Sequence, residues 1–490
     1  MNRIDGKLIV VSNAEPYKHV EGEDGQPSCK EVEGGLTTAM NPQMRETGGV
    51  WVAYGRGEKD FEVVNSESKI RVPESAESSQ EGYWLERLDF PEDQYENFYR
   101  GYANRVLWPI CHSFPSKADL ENETQYWKQG YLPSNKAYAR AVLDNYEEGD
   151  TIWVHDYHLA LVPRLIRNEL PEAKIGVFWH IPWPPWENFL KIPHREEIIR
   201  GLAAADLVGM HVQSYVDNLL GCAEKLGAEP GENGRFQFDG DQTSVGAYPL
   251  GVDFDFFDKA DTNGREGAIK GKYDSETIVL GVDRQDYTKG IPERIRSFEK
   301  FVEENPNYRG DVALIQRTPE SRNGITEYQM EKDEINRGVS EFNGKFGRHD
   351  WEPITLFWEG IAQRDLIAEY RAADIGLVTP GLDGMNLVAK EFVAANREPK
   401  VLILSEFAGA SEQLAEAIAV NPYDPVEVAD AIKRAIEMPE EEKRNRWNEL
   451  RDKVSNEDLP SWADDFLLDL DEAHEPFHYT RSLLGLGGKQ

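Results

Sequence analysis

The sequence predicts an α/β protein built from two doubly wound, parallel-sheet domains. Short, β-branched apolar runs recur along it and end at turn or polar residues. Amphipathic, helix-like stretches separate them, and one break divides the series in two. Strands alternating with helices favour parallel sheets with helical crossovers.

The first run, Leu8 to Val11, ends at Ser12 and Asn13. Its unbroken apolar character fits a strand buried on both faces. The same form recurs at Thr151–Val154, Ile175–Phe178, Thr277–Val282, Val312–Ile315, Ile375–Val378 and Val401–Leu404. Ile291–Glu304 and Arg364–Ala372 carry helical periodicity. The break lies near Tyr248–Asp253, and a polar, Gly-containing stretch, Ala260 to Tyr273, precedes the next strand. The expected boundaries are residues 1–252, 253–455 and 456–490. A length of 490 residues suits two or three domains at roughly 100–200 residues each. The Gly-rich end, Arg481 to Gln490, is expected to fray.

Charge narrows the function. Lys and Arg number 54 against 89 Asp and Glu, a net charge of −35, so nucleic acid and anionic membranes are repelled. A phosphate site must then be a local basic island. Crowded carboxylates are tolerated at molar salt, where screening acts within about 3 Å, and the composition is read as salt adaptation. Cys29, Cys111 and Cys222 form no C-x-x-C pair, which fits a reducing compartment rather than a disulfide or zinc framework. The apolar run after the N-terminus is too short for a signal peptide or a membrane span, so a cytoplasmic protein is expected.

In open α/β sheets ligands bind at the carboxyl ends of strands, and the polar motifs cluster there. Gly34 and Gly35 open a helix-like stretch, where free N–H groups and the helix dipole favour anions. An ordinary loop reads equally well, since no Walker or G-x-G-x-x-G pattern is present. Arg284 and Lys289 stand five residues apart after a strand and can neutralise a leaving diphosphate. The bland reading is a surface ion-pair loop. In Thr379–Glu391 a strand gives way to a two-glycine loop and then a helix. Asp383 and Glu391 suit sugar or ribose hydroxyls, or else serve as cap and dipole residues. His155-Asp156-Tyr157-His158 and His180 also follow strands. Their spacing is poor for a metal, and hydrogen bonding to sugar hydroxyls is preferred. Tyr95, Phe98, Tyr99, Tyr102 and Trp108 repeat at helical spacing, which reads first as core.

Six segments, in order and spacing, resemble the trehalose-6-phosphate synthase family: IWVHDYHL, VFWHIPWP, YPLGVD, VDRQDYTKGIPER, GLVTPGLDGMNLVAKEFVAA and LSEFAGASEQL. The resemblance runs from about Leu8 to Leu470. It implies a GT-B fold, two Rossmann-like domains facing a deep cleft, with a C-terminal helix (Trp462–Leu470) crossing back to the first. It implies retaining transfer of glucose from UDP-glucose, or another nucleotide-glucose, to glucose 6-phosphate, with no metal or other cofactor. By matching motif, Gly34 and Gly35 meet the donor phosphates, Arg284 and Lys289 the diphosphate, and Glu391 the ribose. Asp383 and the backbone of Gly384, Met385, Asn386 and Leu387 hold the donor glucose, and His180 contacts it. Asp156 meets acceptor hydroxyls, and Tyr99, Trp108 and Arg322 meet the acceptor and its phosphate. The departing phosphate oxygen takes the acceptor proton, so no side chain need act as base.

One position departs from the family. An Arg usually follows Ser-Asn of the first strand and grips the acceptor phosphate; here Ala14 follows Ser12-Asn13. Lys18, His19 and Arg322 are the candidates to compensate. The departure keeps open transfer to glycerol 3-phosphate, and a non-catalytic sugar-phosphate sensor is the remaining alternative. Homo-oligomers are common in the family, and a separate phosphatase is expected to act on the product.

Overall fold

The computed structural model describes residues 6–32, 35–72, 82–231, 234–273, 275–322 and 324–483. The chain forms two compact units, Met1–Tyr248 with Trp462–Gln490, and Pro249–Ser461.

The first unit holds strands β1 (Leu8–Val11), β2 (Tyr17–Glu21), β3 (Pro27–Glu31), β4 (Val50–Tyr54), β5 (Lys69–Val72), β6 (Tyr83–Leu88), β7 (Thr151–His155), β8 (Lys174–Phe178), β9 (Leu207–Met210), β10 (Glu229–Pro230), β11 (Arg235–Phe238) and β12 (Asp241–Ala247). Ten make one sheet in the order β10-β11-β12-β9-β8-β7-β1-β4-β6-β5, and β2 and β3 form a separate hairpin. From β12 to β6 every neighbouring pair is parallel. Every residue of β1 and β7 is buried, as their apolar runs require. The chain winds from β1 to β4 and β6 on one side, then restarts at β7 on the other. The strand order therefore reverses between β1 and β7, where a crevice opens at the carboxyl ends.

The second unit holds β13 (Thr277–Val282), β14 (Val312–Arg317), β15 (Ile354–Phe357), β16 (Ile375–Val378), β17 (Val401–Ser405) and β18 (Ile418–Val420). Their order is β15-β14-β13-β16-β17-β18, all parallel, which is the Rossmann order with its reversal between β13 and β16. Val279, Leu314 and Leu377 on the strands pack with Phe298, Phe301 and Ile432 on the helices.

The expected helices at Ile291–Glu304 and Trp462–Leu470 are present, the latter inside Leu459–Leu483. That helix carries the chain back into the first unit. Phe466, fully buried, stacks on Trp153 of β7 with ring centroids 4.7 Å apart, and Trp462 lies 5.2 Å from the same ring. Gly176 and Gly209 make the room. A Cβ at either would come within 2.8 Å and 2.7 Å of the Phe466 ring, respectively. Tyr248 donates to Asp469 (2.6 Å) and Lys174 pairs with Asp471 (2.5 Å). Of the tail expected to fray, Arg481 to Leu483 are helical and the rest lies outside the described residues.

Apolar runs were the guide to strands, so the β2–β3 hairpin and the β10–β12 edge went unseen. Both are polar; β3 is largely exposed and β10 wholly so.

Replacing Phe466 by Ala removes a buried ring that three strands pack around. A loss of about 3–5 kcal/mol is expected in chemical denaturation. Leu468→Ala, at a site 42% exposed, is the control and should stay within about 0.5 kcal/mol of the parent.

Candidate functional site

The sequence-predicted residues divide between the two strand-order reversals, and each half is built separately.

In the second unit, the loop after β13 carries Asp283 to Lys289 and the loop after β16 carries Thr379 to Asn386. A buried Arg294 ties them together. It donates to Asp283 Oδ2 (2.5 Å), to Thr379 Oγ1 (2.9 Å) and to Gln316 Oε1 at the end of β14 (3.0 Å). Asp286, also buried, accepts from the backbone N–H of Thr288 (3.1 Å) and shapes the turn that ends at Gly290. Gly290 has φ +63°, and a Cβ there would lie 2.7 Å from the Thr379 carbonyl. The Gly381 N–H then donates to the Thr288 carbonyl (2.8 Å), closing one loop on the other.

On this frame Lys289 Nζ lies 2.5 Å from Asp383 Oδ2, which also accepts from Asn386 Nδ2 at 3.0 Å. Arg284 is exposed and its guanidinium has no partner among the described residues. Asn386, at φ +71°, begins the helix Leu387–Ala395 without a side-chain cap, so the first-turn N–H groups are open to an anion. One turn later Glu391 accepts from the Tyr370 hydroxyl at 2.7 Å. Burial raises the Glu391 carboxyl above its usual range, and the Tyr370 bond opposes the rise. Gly384 and Met385 lie flat on a neighbouring turn, where the Ala410 N–H donates to the Met385 carbonyl (2.8 Å). A Cβ on Gly409 would come 2.1 Å from the Gly384 carbonyl.

Arg322, expected at the acceptor, belongs to the second unit. Its guanidinium pairs with Asp286 at 2.9 Å and donates to the Tyr328 hydroxyl. Gly34 lies outside the described residues, and Gly35 opens the helix Gly35–Thr47.

In the first unit, Asp156 follows β7 with φ +78° and ψ 165°. That region is almost reserved for glycine and costs a non-glycine residue about 1–3 kcal/mol. The surroundings enforce it. The Asp156 N–H donates to the Phe178 carbonyl (2.7 Å), and Asp156 Oδ1 accepts from the N–H groups of Tyr157 (2.9 Å) and His180 (3.3 Å). Tyr131 donates to the Tyr157 carbonyl (2.6 Å) and pins the loop from below.

Burial by itself would raise the Asp156 carboxyl. His158, 3.4 Å away, with His180 and the Tyr157 N–H, outweighs it and holds the group at about 2. Burial pushes the His180 imidazole down to about 4, against the pull of Asp156, and pushes His155 well down too. The two rings share a hydrogen bond, His155 Nδ1 to His180 Nε2, at 3.1 Å. At neutral pH Asp156 is therefore a carboxylate, and His155 and His180 are neutral imidazoles. Such a carboxylate can accept from hydroxyls and orient them.

Tyr99 belongs to a stack absent from the sequence reading. Tyr54, Tyr95, Tyr99 and His158 lie ring on ring, with successive centroids 3.9, 5.3 and 5.6 Å apart. The helix carrying Tyr95 and Tyr99 widens to a π-type turn over Glu96–Leu107, which shifts side chains off the usual helical register. Phe98 and Tyr102 are core, as their spacing suggests, and Trp108 is buried against His112 (4.0 Å) and Tyr157 (5.9 Å).

The backbone strain at Asp156 is testable. Asp156→Gly should leave thermal stability equal to the parent or raise it by up to about 2 kcal/mol, since glycine adopts this conformation freely. A clear fall in melting temperature would mean that the carboxylate's hydrogen bonds outweigh the strain.

A model of glycosyltransferase family 20 matches residues 6–472. A trehalose-6-phosphate synthase of Mycobacterium leprae is 37% identical, covering 96% of this chain and 95% of its own. A bifunctional trehalose-6-phosphate synthase/phosphatase of Thermoproteus tenax is 35% identical, and the match spans 63% of its length. Among solved structures, the E. coli protein bound with UDP-2-fluoro glucose aligns at TM-score 0.85 and 29% identity, over 95% of this chain and 99% of that one. A Burkholderia xenovorans synthase in complex with glucose 6-phosphate aligns at TM-score 0.83 and 29% identity, over 95% and 100%. The fold is GT-B, as the resemblance implied. Two Rossmann-like units, with polar residues gathered at both strand-order reversals, accord with that match: the chain belongs to glycosyltransferase family 20.

Proposed function

We propose that the protein transfers glucose from UDP-glucose to glucose 6-phosphate with retention, giving α,α-trehalose 6-phosphate and UDP. One observation carries the reading. In a chain of net charge −35, Arg284, without a side-chain partner among the described residues, and Lys289, paired only with Asp383 there, occupy the strand-order reversal of the second unit, where an uncapped helix also starts. Departure of a diphosphate develops negative charge, and fixed cations stabilise it more in the transition state than in the ground state. Lys289 is held by Asp383 until that charge arrives.

On this reading the second unit takes the nucleotide sugar. Glu391 accepts from the ribose, and Asp383 with the Gly384–Leu387 backbone orients the glucose. The first unit takes the acceptor, with Asp156 accepting from its hydroxyls, His180 contacting the transferred glucose, and Tyr99 and Trp108 shaping the pocket wall. Attack comes on the face the diphosphate leaves, and the departing phosphate oxygen takes the acceptor proton. Transfer to glycerol 3-phosphate is the second reading, favoured by Ala14 at the end of β1. We further infer cytoplasmic action at high salt, the product serving as precursor of an osmolyte after a phosphatase removes its phosphate.

The deciding experiment measures UDP release in high salt with UDP-glucose and glucose 6-phosphate, glycerol 3-phosphate or plain glucose. Release with glucose 6-phosphate is expected, unchanged by EDTA. Arg284→Ala should lower kcat about 10²–10³-fold with its melting temperature intact. Release with no acceptor, or a near-normal rate in the variant, overturns the assignment. Salt adaptation predicts a lower melting temperature in dilute buffer than in molar salt, because 35 unscreened net charges repel; a flat salt dependence would remove it.

A further inference from the structure

Ala14 brings no charge to the end of β1, and the compensating residues named from sequence are already engaged or lie on another element. His19 is buried, its ring 3.0 Å from Arg87 and 3.5 Å from Asp60. Arg322 is held by Asp286 in the second unit. Lys18 lies on the β2–β3 hairpin, opposite Lys30.

Arg56 lies elsewhere. It follows β4, which pairs with β1 in the register Val11 to Val52, so Ala14 and Arg56 stand beyond the carboxyl ends of adjacent strands. Its backbone is fixed from below. The Arg56 N–H donates to Glu15 Oε1 (2.8 Å), and Glu15, fully buried, pairs with Arg87 (2.9 Å). Arg87 also pairs with Asp60 (3.1 Å), which accepts from the Gly57 N–H (2.5 Å). A buried ionic cluster thus sets the loop, while the Arg56 side chain is exposed and its guanidinium has no partner among the described residues. The protein carries 89 acidic side chains, so an unpaired guanidinium here does not reflect a shortage of anions.

Its surroundings suit a sugar phosphate. Two residues before Arg56, Tyr54 stacks on Tyr95 with ring centroids 3.9 Å apart. Tyr138 reaches Asn13 next to Ala14 (3.4 Å). The ring stack continues through Tyr99 to His158, which adjoins Asp156. A cation thus stands at one end of an aromatic wall and a hydroxyl-binding carboxylate at the other. A guanidinium fork matches phosphate oxygens in pairs.

We propose that Arg56 binds the phosphate of the acceptor, supplying from the end of β4 the charge that Ala14 does not supply from β1. The assignment rests on the acceptor being a phosphorylated sugar or polyol, and it sets the preference for phosphorylated over neutral acceptors.

The test compares wild type, Arg56→Ala, Arg56→Lys and Lys18→Ala. In Arg56→Ala the ratio of kcat/KM for glucose 6-phosphate to that for plain glucose should fall about ten- to hundredfold, the worth of a charged hydrogen bond. The KM for UDP-glucose and the melting temperature should hold, Arg56→Lys should recover part of the ratio, and Lys18→Ala should leave it unchanged. An unchanged ratio in Arg56→Ala overturns the assignment while leaving the proposed reaction intact. Wild type that turns over only glycerol 3-phosphate changes the reaction, and the same fall is then expected for that acceptor. Calorimetric binding of the phosphorylated acceptors reads the same contrast without turnover, and equal affinities in wild type and Arg56→Ala overturn the proposal.

Discussion

Arg294 lies buried behind the carboxyl ends of β13, β14 and β16, and its guanidinium donates to Asp283, Gln316 and Thr379 together. Parallel strands end in loops whose polar groups must be satisfied without help from the sheet. One planar cation with a fixed fork of donors answers that need for three loops at once. The positions of Arg284, Lys289 and Asp383 follow from it. A buried charge of this kind is costly to strand without its partners, which makes the arrangement all-or-none. In the first unit Arg87 does similar work, joining Glu15, Asp60 and the Tyr17 carbonyl beneath the ends of β1 and β4.

The two halves treat charge in opposite ways. The second unit leaves Arg284 exposed and holds Lys289 on a carboxylate, a setting that on the proposed reading gives a diphosphate cations already in place. The first unit keeps His155 and His180 neutral by burial and places an ionised carboxylate on one strained aspartate. A neutral imidazole and an ionised carboxylate suit hydroxyl groups, whereas the open cations suit phosphates. Within a chain of net charge −35, function sits where the overall charge is locally reversed.

The site was legible from sequence to the extent that its residues follow apolar strands. Arg284, Lys289, Asp383, Asp156 and His180 stand in the loops that follow buried apolar strands, where α/β sheets bind ligands, and Glu391 lies on the helix after the β16 loop. Residues that reach the site from elsewhere carried no such signal. Tyr54 is the last residue of β4 and Arg56 stands in the charged loop after it, where sequence does not tell one cation from its charged neighbours, and Tyr95 and Tyr99 lie on a helical stretch whose spacing reads as core. Arg322 carries a feature that sequence does not show: φ +50° and pairing with buried Asp286 fix its guanidinium.

By itself the sequence determined seven of the strands, from Leu8–Val11 to Val401–Leu404, and the polar residues that end them, because burial on both faces of a parallel sheet requires local apolar runs. Tertiary structure alone decided which of those residues meet. The reversal of strand order brings the β13 and β16 loops together across about 95 residues of chain, and it sets β1 between β4 and β7. The left-handed backbone of Asp156, the neutral state of His180 and the free guanidinium of Arg56 likewise come from contacts distant in sequence. Strain, desolvation and pairing belong to an environment, and that environment exists only once the sheet is assembled.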